Sequence, residues 1–505
     1  MTLALRITDG TTTVMLSSTN MVTIHYLPQV SSQKDITETA EIIFTTSIAL
    51  ERADINSLNR LFEQARRYQL LRIGSAVYVE YKLVDTDADY YRSEIKDGRI
   101  VLEIGRRASI IWTREAFWEG PETQIPLTGI QGTDVITGLT IYNPNSWLQG
   151  TTISFDATTK EIRDSGNGMA IFKTGGVVRV IGSASNDGSY TVVTGNVAAK
   201  VVVSEAIVTE AAGATVTIIG PVQNYAQIAA VDVVGDLPAP PRLEIKNNYN
   251  STTRAANVFV AHNVNSNPGT LAHILEAENA TGGTTTENTN SSGGYYKALS
   301  WAVTTETQLL DWTISMDVLN ACAGNFFRLL IRLTNGLAYS DLWLKVKIKM
   351  ELTVIWESEW ILAPNGYSLF ELATAQLPAY LAGAGDIYPA HLVLFGKRNA
   401  AGTHYLDVDY MQLSPLDGWR KLQPQGYQLG YLARLMDDMI DDYLYTDGWD
   451  TPGKFGNYYT ASAPLALIPN KLQRLYFLHD TNGGNSVIAR TLGIKVFYRP
   501  RRCSI

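Results

Sequence analysis

One stretch of the chain has the spacing of a helix and lies between segments with the composition of strands. In residues 53–71 the apolar side chains recur every three or four positions, which predicts an amphipathic helix. Asp54 is its predicted N-cap, because a carboxylate can accept hydrogen bonds from the first free helical N–H groups. Residues 39–50 and 75–84 on either side are rich in β-branched and aromatic residues. A single helix over residues 54–71 that covers a sheet is therefore predicted.

The polar side of this helix carries three arginines, Arg60, Arg66 and Arg67. The last two are predicted to lie near its C-terminal end, where the negative end of the helix dipole favours cations. Because the apolar side is needed by the helix's own sheet, we expect the arginine side to face a neighbouring subunit.

Nearly everything else in the chain has the pattern of strands and turns, so the predicted fold is mainly β with several domains. At 505 residues and 45% hydrophobic content the chain can form three or four domains with ordinary cores. Asp9-Gly10 and Asp97-Gly98 are predicted turns between strands. The predicted domains are an N-terminal β-sandwich with one flanking helix, a small all-β insert, a two-sheet jelly roll and a C-terminal β-rich segment, over residues 1–150, 151–230, 231–418 and 419–505.

Charge and cysteine content exclude several classes of protein. The formal net charge is -8 and, apart from the arginines of residues 499–502, there is no sustained basic run, so nucleic acid is not an expected partner. No window has the length of apolar sequence that a membrane span needs. Residues 1–14 do not match a signal peptide, which predicts synthesis in the cytoplasm. Cys322 and Cys503 are too few for a disulfide framework or a zinc cluster.

The usual catalytic signatures are absent, and we predict no enzymatic activity. The six histidines show neither HxH nor HExxH spacing, and the chain has no GxSxG elbow and no P-loop. Glu357 and Glu359 alternate with tryptophans, which favours an exposed polar strand face over a glycosidase pair. Residues 432–442 predict a short helix with a solvated acidic face formed by Asp437, Asp438, Asp441 and Asp442.

Several segments resemble tail proteins of long-tailed bacteriophages, in the neighbourhood of distal tail and minor tail proteins. The N-terminal segments are ITDGTTTV, LNRLFEQARRYQ and TREAFWEGPE, and the C-terminal ones are QRLYFL and YRPRR. The segment GSASNDGSYTV resembles a motif of accessory modules in phage virion proteins. Its Asn186-Asp187-Gly188 is predicted to be a hairpin turn, because the spaced carboxylates of a calcium loop are missing. The resemblance implies a β-sandwich with one helix that assembles as a ring around the tail axis.

Residues 231–418 resemble carbohydrate-binding modules of the jelly-roll type, through LEAENATGG at the start and YLDVDYMQLSP at the end. The resemblance implies that Glu276 or Glu278 shares a structural calcium with Asp407 or Asp409, since calcium takes oxygen ligands. The alternative is that backbone amides or cations pair with these carboxylates. A sugar would need an aromatic platform, for which the candidates are Tyr295, Tyr296, Trp301, Trp312 and Trp360. The alternative for each of these aromatics is that it packs in the core.

Together these observations predict a structural virion protein of a phage tail, in the distal tail ring or the tail tip. Its expected partners are copies of itself in a ring, other tail proteins and host surface glycans, and its expected location is the virion. Two alternatives remain open at this point. One is a protein that binds or degrades carbohydrate of the host envelope, and the other is a decoration protein of the capsid or tail.

Overall fold

The computed structural model of the protein describes residues 4–16, 25–30, 35–43, 48–82, 90–102, 107–129, 132–134, 138–248, 254–264, 274–302, 304–314, 326–334, 339–350, 352–377, 390–415, 417–422, 429–440, 443–447, 454–455, 464–480 and 491–503. Within these residues the fold is mainly β, as predicted, and the described α-helix is Ile48–Leu71. No helix of the described segments combines the length and apolarity needed to cross a membrane. Cys322, Asp441 and Asp442 lie outside the described residues.

The chain divides into two compact units, each built from separate segments. The N-terminal unit consists of Met1–Thr123, Val233–Ala239 and Tyr498–Ile505, and the large unit consists of Gln124–Asp232 and Pro240–Phe497. The predicted domain boundaries at 150, 230 and 418 therefore differ from this division, because short segments from the middle and the end of the chain belong to the N-terminal unit.

The N-terminal unit contains a nine-stranded sheet. Seven of its strands follow one path, which in order is Thr13–Leu16, Ala4–Thr8, Tyr78–Lys82, Tyr91–Leu102, Arg107–Glu115, Asp35–Ile43 and His25–Val30. The terminal strand Arg501–Arg502 pairs with Trp118–Glu119, and the Arg501 guanidinium donates to Glu119 Oε1 at 2.8 and 3.0 Å. Arg501 thus binds within its own unit.

The helix covers this sheet as predicted but begins earlier than expected. Leu58, Leu61, Phe62 and Ala65 are buried against the sheet. The helix runs from Ile48, so the prediction of Asp54 as the N-cap is wrong and Asp54 lies in the second turn. The helix ends at Leu71 as predicted, with no basic residue in its last turn, so Arg66 and Arg67 lie before the turn in which the negative end of the dipole acts most strongly.

The predicted turn at Asp97-Gly98 is wrong, because one strand runs through it. Tyr91–Leu102 is continuous, with a bulge between Ile95 and Asp97. A Cβ atom at Gly98 would lie 2.2 Å from Phe62 Cδ1. The glycine therefore permits the close approach of the helix to the strand, and does not form a turn.

Replacing Gly98 with alanine should lower the free energy of unfolding of the N-terminal unit by about 1–3 kcal/mol, because the added methyl group overlaps the Phe62 ring. Chemical denaturation measures the change. Adding Phe62→Leu to Gly98→Ala should reduce the effect of the alanine relative to its effect beside Phe62. Equal effects in both backgrounds would contradict the packing explanation.

The first module of the large unit is the insert, a seven-stranded sheet. Its strands, in sheet order, are Ser146–Gly150, Val216–Gly220, Val177–Ile181, Gly188–Val197, Lys200–Val203, Glu161–Asp164 and Ile153–Asp156. Val180 pairs with Gly188, so a hairpin spans Asn186 and Asp187 as predicted. Asn186 is buried and its side chain bonds the backbone of Val208, which fixes the hairpin loop against the following segment.

Two further sheets, which we call the scaffold sheets, combine strands from before, between and after the two inserted modules. The first contains Gly132–Asp134, Leu127–Gly129, Tyr225–Ile228, Gln473–Asp480, Ala256–Val264 and Gly418–Leu422. The second contains Leu139–Tyr142, Thr491–Tyr498, Pro241–Asn247, Arg434–Asp438, Tyr443–Asp447 and Lys454–Phe455, with Thr123–Gln124 paired at one side. Residues 419–505 are therefore not a separate segment of the fold.

The predicted short helix over residues 432–442 is wrong in its described part, because Arg434–Asp438 is a strand of the second scaffold sheet. Asp437 is fully buried and accepts hydrogen bonds from Arg420 at 2.5 and 2.9 Å. Asp438 is partly buried and Leu435 is in the core. The spacing of the acidic and apolar residues fits a helical period as well as a strand. Asp437 lies on the inner face of the strand because its charge is paired there with that of Arg420.

The jelly roll consists of two facing sheets around one core, as predicted. The first sheet contains Thr284–Glu287, Tyr295–Trp301, His404–Pro415, Phe326–Leu333 and Leu369–Gln376, with Ile274–Glu276 paired to His404–Pro415. The second contains Thr307–Ile314, Ala390–Arg398, Leu342–Met350 and Thr353–Glu357, with Ile361–Leu362 paired to Leu342–Met350. Leu310, Leu344, Leu392 and Met411 are among its fully buried core residues.

The first jelly-roll sheet also packs on its outer face against the first scaffold sheet. The shared apolar cluster is formed by Val222, Phe259, Ala261, Leu330, Leu369, Tyr410, Trp419, Tyr476 and Leu478. Buried polar groups are paired across the same junction: Asn224 donates to Gln412 at 2.8 Å, and the Tyr410 hydroxyl donates to Asn143 at 2.8 Å. The jelly roll is therefore attached to the scaffold by a buried contact of its own sheet.

Candidate functional site

A cavity of about 570 Å³ lies where the insert, the jelly roll and the first scaffold sheet meet within the large unit. The insert contributes residues 172–178, and the segment that leaves it contributes residues 221–225. The jelly roll contributes Glu276, Glu278 and Tyr295, among others, and the scaffold contributes Tyr476. Binding sites often form at such junctions, since several elements can supply side chains to one space.

The insert is held on the jelly roll by hydrogen bonds that also position the cavity wall. Asn145 Nδ2 donates to the backbone oxygens of Thr289 at 2.9 Å and Ser291 at 2.7 Å. Arg179 donates to Gly294 O at 3.1 Å and forms an ion pair with Glu287. The Tyr295 hydroxyl lies 2.9 Å from Ser189 Oγ. Tyr295, a predicted sugar-contacting residue, is thus fixed between the two modules.

The acidic side of the cavity is built around Ser292. The Ser292 hydroxyl donates to Glu276 Oε1 at 2.5 Å, and its backbone N–H donates to Asp409 Oδ1 at 2.9 Å. Gly293 has a φ of 60°, and a Cβ there would lie 3.4 Å from Glu278 Oε1. The glycine suits this left-handed turn and leaves room beside the Glu278 carboxylate.

Asp409 reaches this cluster because it lies in a β-bulge. Arg332 pairs with Tyr410 and Leu333 pairs with Val408, so Asp409 has no opposite residue on that strand. Its carboxylate is fully buried and forms an ion pair with the buried guanidinium of Arg332. Burial raises the pKa of Asp409 to about 7, and the Arg332 charge and the Ser292 amide oppose the rise.

The carboxyl groups of Glu276 and Glu278 have fewer polar partners to offset the cost of burial than that of Asp409 has. Burial raises the pKa of Glu276 well above its ordinary value, and the nearby carboxylates of Glu278 and Asp409 add to the rise. Burial also raises the pKa of Glu278 to about 7. Glu276 Oε2 and Glu278 Oε2 are buried and have no hydrogen-bond partner among the described residues. The same holds for Oε1 of Gln223, another residue of the cavity wall.

The described residues do not fit the calcium site that the jelly-roll resemblance implies. Glu276, Glu278 and Asp409 do come together, but Asp409 is occupied by Arg332 and Ser292. Asp407 lies on the part of its strand that pairs with Ala298, and its charge acts on Tyr296. Among the described residues, no three His, Cys, Asp or Glu side chains are arranged to hold a metal ion.

The aromatic side of the cavity contains Tyr225, Tyr295 and Tyr476. The rings of Tyr225 and Tyr476 lie 6.0 Å apart at 51°, and the Arg474 guanidinium lies 5.2 Å from the Tyr225 ring centre. Arg179 lies 5.0 Å from the ring centre of Tyr295. These contacts hold all three rings in place, which lowers the entropy that a bound ligand would need to remove.

The other predicted sugar-contacting aromatics lie away from this cavity. Trp301 and Trp312 are buried in the jelly-roll core, where the Trp312 indole donates to Glu276 O at 2.9 Å. Tyr296 is partly buried on the strand that carries Tyr295. Trp360 is partly buried beside two lysines, with Lys397 Nζ 4.3 Å from its ring centre.

Several cavity residues were not identified from the sequence, chiefly Phe172, Gln223, Tyr225 and Tyr476. They come from segments far apart in the chain and belong to no local motif. Tyr225 lies directly opposite Tyr476 because Tyr225–Ile228 pairs with Gln473–Asp480, a long-range pairing that no local sequence pattern indicates.

A second surface of interest is the C-terminal end of the helix in the N-terminal unit. Leu70, Leu71 and Ile73 are exposed by 82, 61 and 66%, a large apolar exposure for neighbouring residues. Arg72 between them has a φ of 51° and closes the helix by donating its N–H to Tyr68 O at 2.7 Å. We call these apolar residues the helix-end patch.

The three arginines predicted to face a subunit differ in their partners. Arg60 donates to Thr12 Oγ1 at 2.7 Å, and Arg66 forms an ion pair with Asp97 at 3.1 Å. Arg67 is exposed, and its side chain forms no hydrogen bond or ion pair with any described residue. Exposed Glu63 lies one turn before it and likewise has no such partner within the described segments. Arg67 is therefore the arginine with a charge available for another molecule.

Comparisons with known proteins give little beyond this geometry. No protein-family model matches the chain, and no curated protein matches it. Among solved structures, a match is the crystal structure of the SPP1 Dit (gp 19.1) protein, described as a hub of the adsorption apparatus in phages that infect Gram-positive bacteria. The alignment covers 43% of this chain and 98% of that chain, with 8% identity and a TM-score of 0.16. A match with so low a TM-score supports no argument about this chain.

Proposed function

We propose that this chain is a structural protein of a phage tail that assembles with copies of itself through the N-terminal unit and binds host glycan with the large unit. Its place would be the distal tail ring or the tail tip, next to other tail proteins in the virion. The proposal includes no catalytic activity. It is supported by the resemblance of the N-terminal and C-terminal segments to phage tail proteins and by two features of the structure, the helix-end patch and the cavity.

The helix-end patch carries the assembly part of the proposal. Leu70, Leu71 and Ile73 expose apolar side chains that a second copy of the chain would remove from water. Glu63 and Arg67 are exposed on the same helix, so the region presents both signs of charge. In a ring this region would meet a different surface of the next copy, where Arg67 and Glu63 can each pair with an opposite charge, and repetition of that head-to-tail contact generates a closed ring.

Replacing Leu70 and Leu71 together with aspartate should abolish self-association of the full chain, because two charges would then be buried at the contact. Mass photometry over a range of protein concentrations measures the oligomeric state. Val231→Asp is the matched control, since Val231 is 79% exposed but lies in the large unit. An oligomer that survives the double substitution would place the assembly surface elsewhere, and a wild type that stays monomeric at all concentrations would contradict the ring.

Charge-reversal substitutions at Arg67 and Arg66 distinguish an effect on assembly from an effect on packing within the chain. Arg67→Glu should weaken association, because Arg67 has no described partner inside the chain. Arg66→Glu should act mainly on the ion pair with Asp97.

Immunogold electron microscopy of purified particles tests the proposed location in the tail directly, and labelling of the capsid in place of the tail would contradict it.

The cavity carries the glycan part of the proposal. It combines three fixed tyrosines with buried polar atoms, the combination by which proteins bind sugars through stacking and hydrogen bonds. Tyr295 and the two glutamates come from the jelly roll, but the insert and the scaffold complete the wall. We therefore expect glycan binding to require the insert and to be lost when Tyr295 is replaced with alanine.

A further inference from the structure

The buried side-chain atoms of the cavity wall that have no hydrogen-bond partner are all oxygens that can accept a hydrogen bond. Within the described residues they are Gln223 Oε1, Glu276 Oε2 and Glu278 Oε2. Gln223 is only 6% exposed, and its Nε2 donates to Ile171 O at 2.5 Å, which fixes the amide so that its oxygen is the free group. This feature is independent of the two carboxylates, since Gln223 belongs to the segment that leaves the insert.

The protein supplies few donors to these acceptors. Arg332, the buried cation of the acidic cluster, binds Asp409. Lys173 also belongs to the cavity wall, but its side chain forms no hydrogen bond or ion pair with any described residue. Neither glutamate forms an ion pair with a described cation, although the charge of Lys297 acts on Glu278 and that of Arg332 on Glu276. Buried acceptors without donors cost free energy, so a ligand that brings several donors would bind with a gain at each of them.

We propose that the cavity selects a glycan unit with a free, protonated amino group over the same sugar with a hydroxyl or an acetylated amine at that position. An ammonium group has three N–H donors and no acceptor, which matches three free oxygens. Its charge also favours the ionised forms of Glu276 and Glu278 over the protonated forms that burial favours. A charged hydrogen bond is also stronger than a neutral one. Acetylation removes the charge and leaves a single N–H, so it removes both advantages.

This inference rests on the proposed glycan binding and narrows it to one class of sugar. The three tyrosines would contact the apolar faces of the sugar ring, and the acceptors would bind the amino group. A hydroxyl can reach one acceptor but cannot neutralise the carboxylates. The structure therefore predicts a difference in affinity between sugars that differ only at the nitrogen.

Isothermal calorimetry with the full chain tests the inference, with D-glucosamine, N-acetyl-D-glucosamine and D-glucose as probes in a buffer that contains EDTA. Glucosamine should bind at least about 10-fold more tightly than either of the other sugars. Glu276→Gln and Glu278→Gln should each weaken glucosamine binding about 10-fold or more and change glucose binding little. Glu359→Gln, an exposed glutamate outside the cavity wall, is the matched control and should change neither.

The outcomes separate this inference from the function on which it rests. If glucosamine and glucose bind with equal affinity and Tyr295→Ala abolishes the binding of both, the proposed selectivity is overturned but the proposed glycan site is supported. Glucosamine binding that survives both glutamine substitutions would also overturn it. If none of the three sugars binds to the wild type, the glycan proposal fails together with the inference. A separate titration with calcium tests whether the carboxylates bind a metal ion in place of an amine. If calcium binds to the wild type but to neither glutamine variant, and glucosamine does not bind at all, the amine site is overturned.

Discussion

Replacing Arg332 with methionine is expected to lower the free energy of unfolding of the large unit by about 3–5 kcal/mol. Arg332 is 2% exposed, and its guanidinium forms an ion pair with fully buried Asp409. The methionine keeps most of the apolar volume but leaves the carboxylate buried without its cation. Chemical denaturation followed by tryptophan fluorescence measures the loss.

The same strand supplies a matched control for Arg332. Arg328 binds Glu371 at 2.8 Å, but both side chains are about one-third exposed, at 32 and 30%. Arg328→Met should therefore cost less than about 1 kcal/mol. Equal losses for the two substitutions would show that the arginine stems, and not the buried charge, account for the effect.

The pH dependence of the Arg332→Met defect gives a second check. Asp409 already has a raised pKa of about 7 in the folded protein, and loss of the Arg332 charge raises it further. A carboxyl with a raised folded pKa lowers the free energy of unfolding as the pH rises from the unfolded pKa to the folded pKa, because over that range the folded state keeps a proton that the unfolded state has lost. A higher folded pKa in the variant extends this loss to higher pH. The defect should thus be larger at pH 8 than at pH 5. Adding Asp409→Asn should recover most of it at pH 8.

Local pattern was enough to predict the elements whose side chains follow a single period. The helix over residues 54–71 is confirmed because its buried face repeats at 3.6 residues, and the Asp9-Gly10 turn is confirmed with Gly10 at a φ of 86°. The start of the helix was not predictable from Asp54, since Ile48 to Arg52 continue the helix before it. Asp54 is a good N-cap by residue type, but it lies inside the helix and not at its start.

The failed predictions have a common cause in tertiary contacts. Asp97-Gly98 has the composition of a turn, but Phe62 from the helix needs the space above Gly98. Asp437 has the spacing of a solvated helix face, but Arg420 from the other scaffold sheet makes its burial favourable. In both cases a partner distant in sequence decides the structure, and local propensity is overridden.

The candidate site was partly predictable for the same reason. The resemblance to a jelly roll grouped Glu276 or Glu278 with Asp407 or Asp409, and in the structure Glu276 and Asp409 share Ser292 as a partner. The bulge that turns Asp409 toward Arg332 has no signal in the sequence. Tyr225 and Tyr476 meet only because the scaffold strands on either side of the jelly roll return to one sheet.

The second large effect is expected in the N-terminal unit, where Glu38→Met should lower the free energy of unfolding by about 3–5 kcal/mol. Glu38 is fully buried and accepts from Arg114 Nη2 at 2.6 Å and from Trp112 Nε1 at 2.9 Å. Its removal leaves the buried Arg114 charge without a carboxylate. Glu41→Met on the same strand is the control, since Glu41 is exposed and should cost less than about 1 kcal/mol.

A double substitution distinguishes the cost of an unpaired charge from the value of the ion pair itself. Burying two charges costs solvation that their attraction often only balances, so Glu38→Met combined with Arg114→Met should be much more stable than either single variant. The Arg114 guanidinium also lies 4.1 Å from the Trp118 ring centre, a contact that the methionine side chain can partly replace. If the losses of the two single variants simply add, the pair contributes through packing and not through charge, and the same explanation would then extend to Arg332 and Asp409.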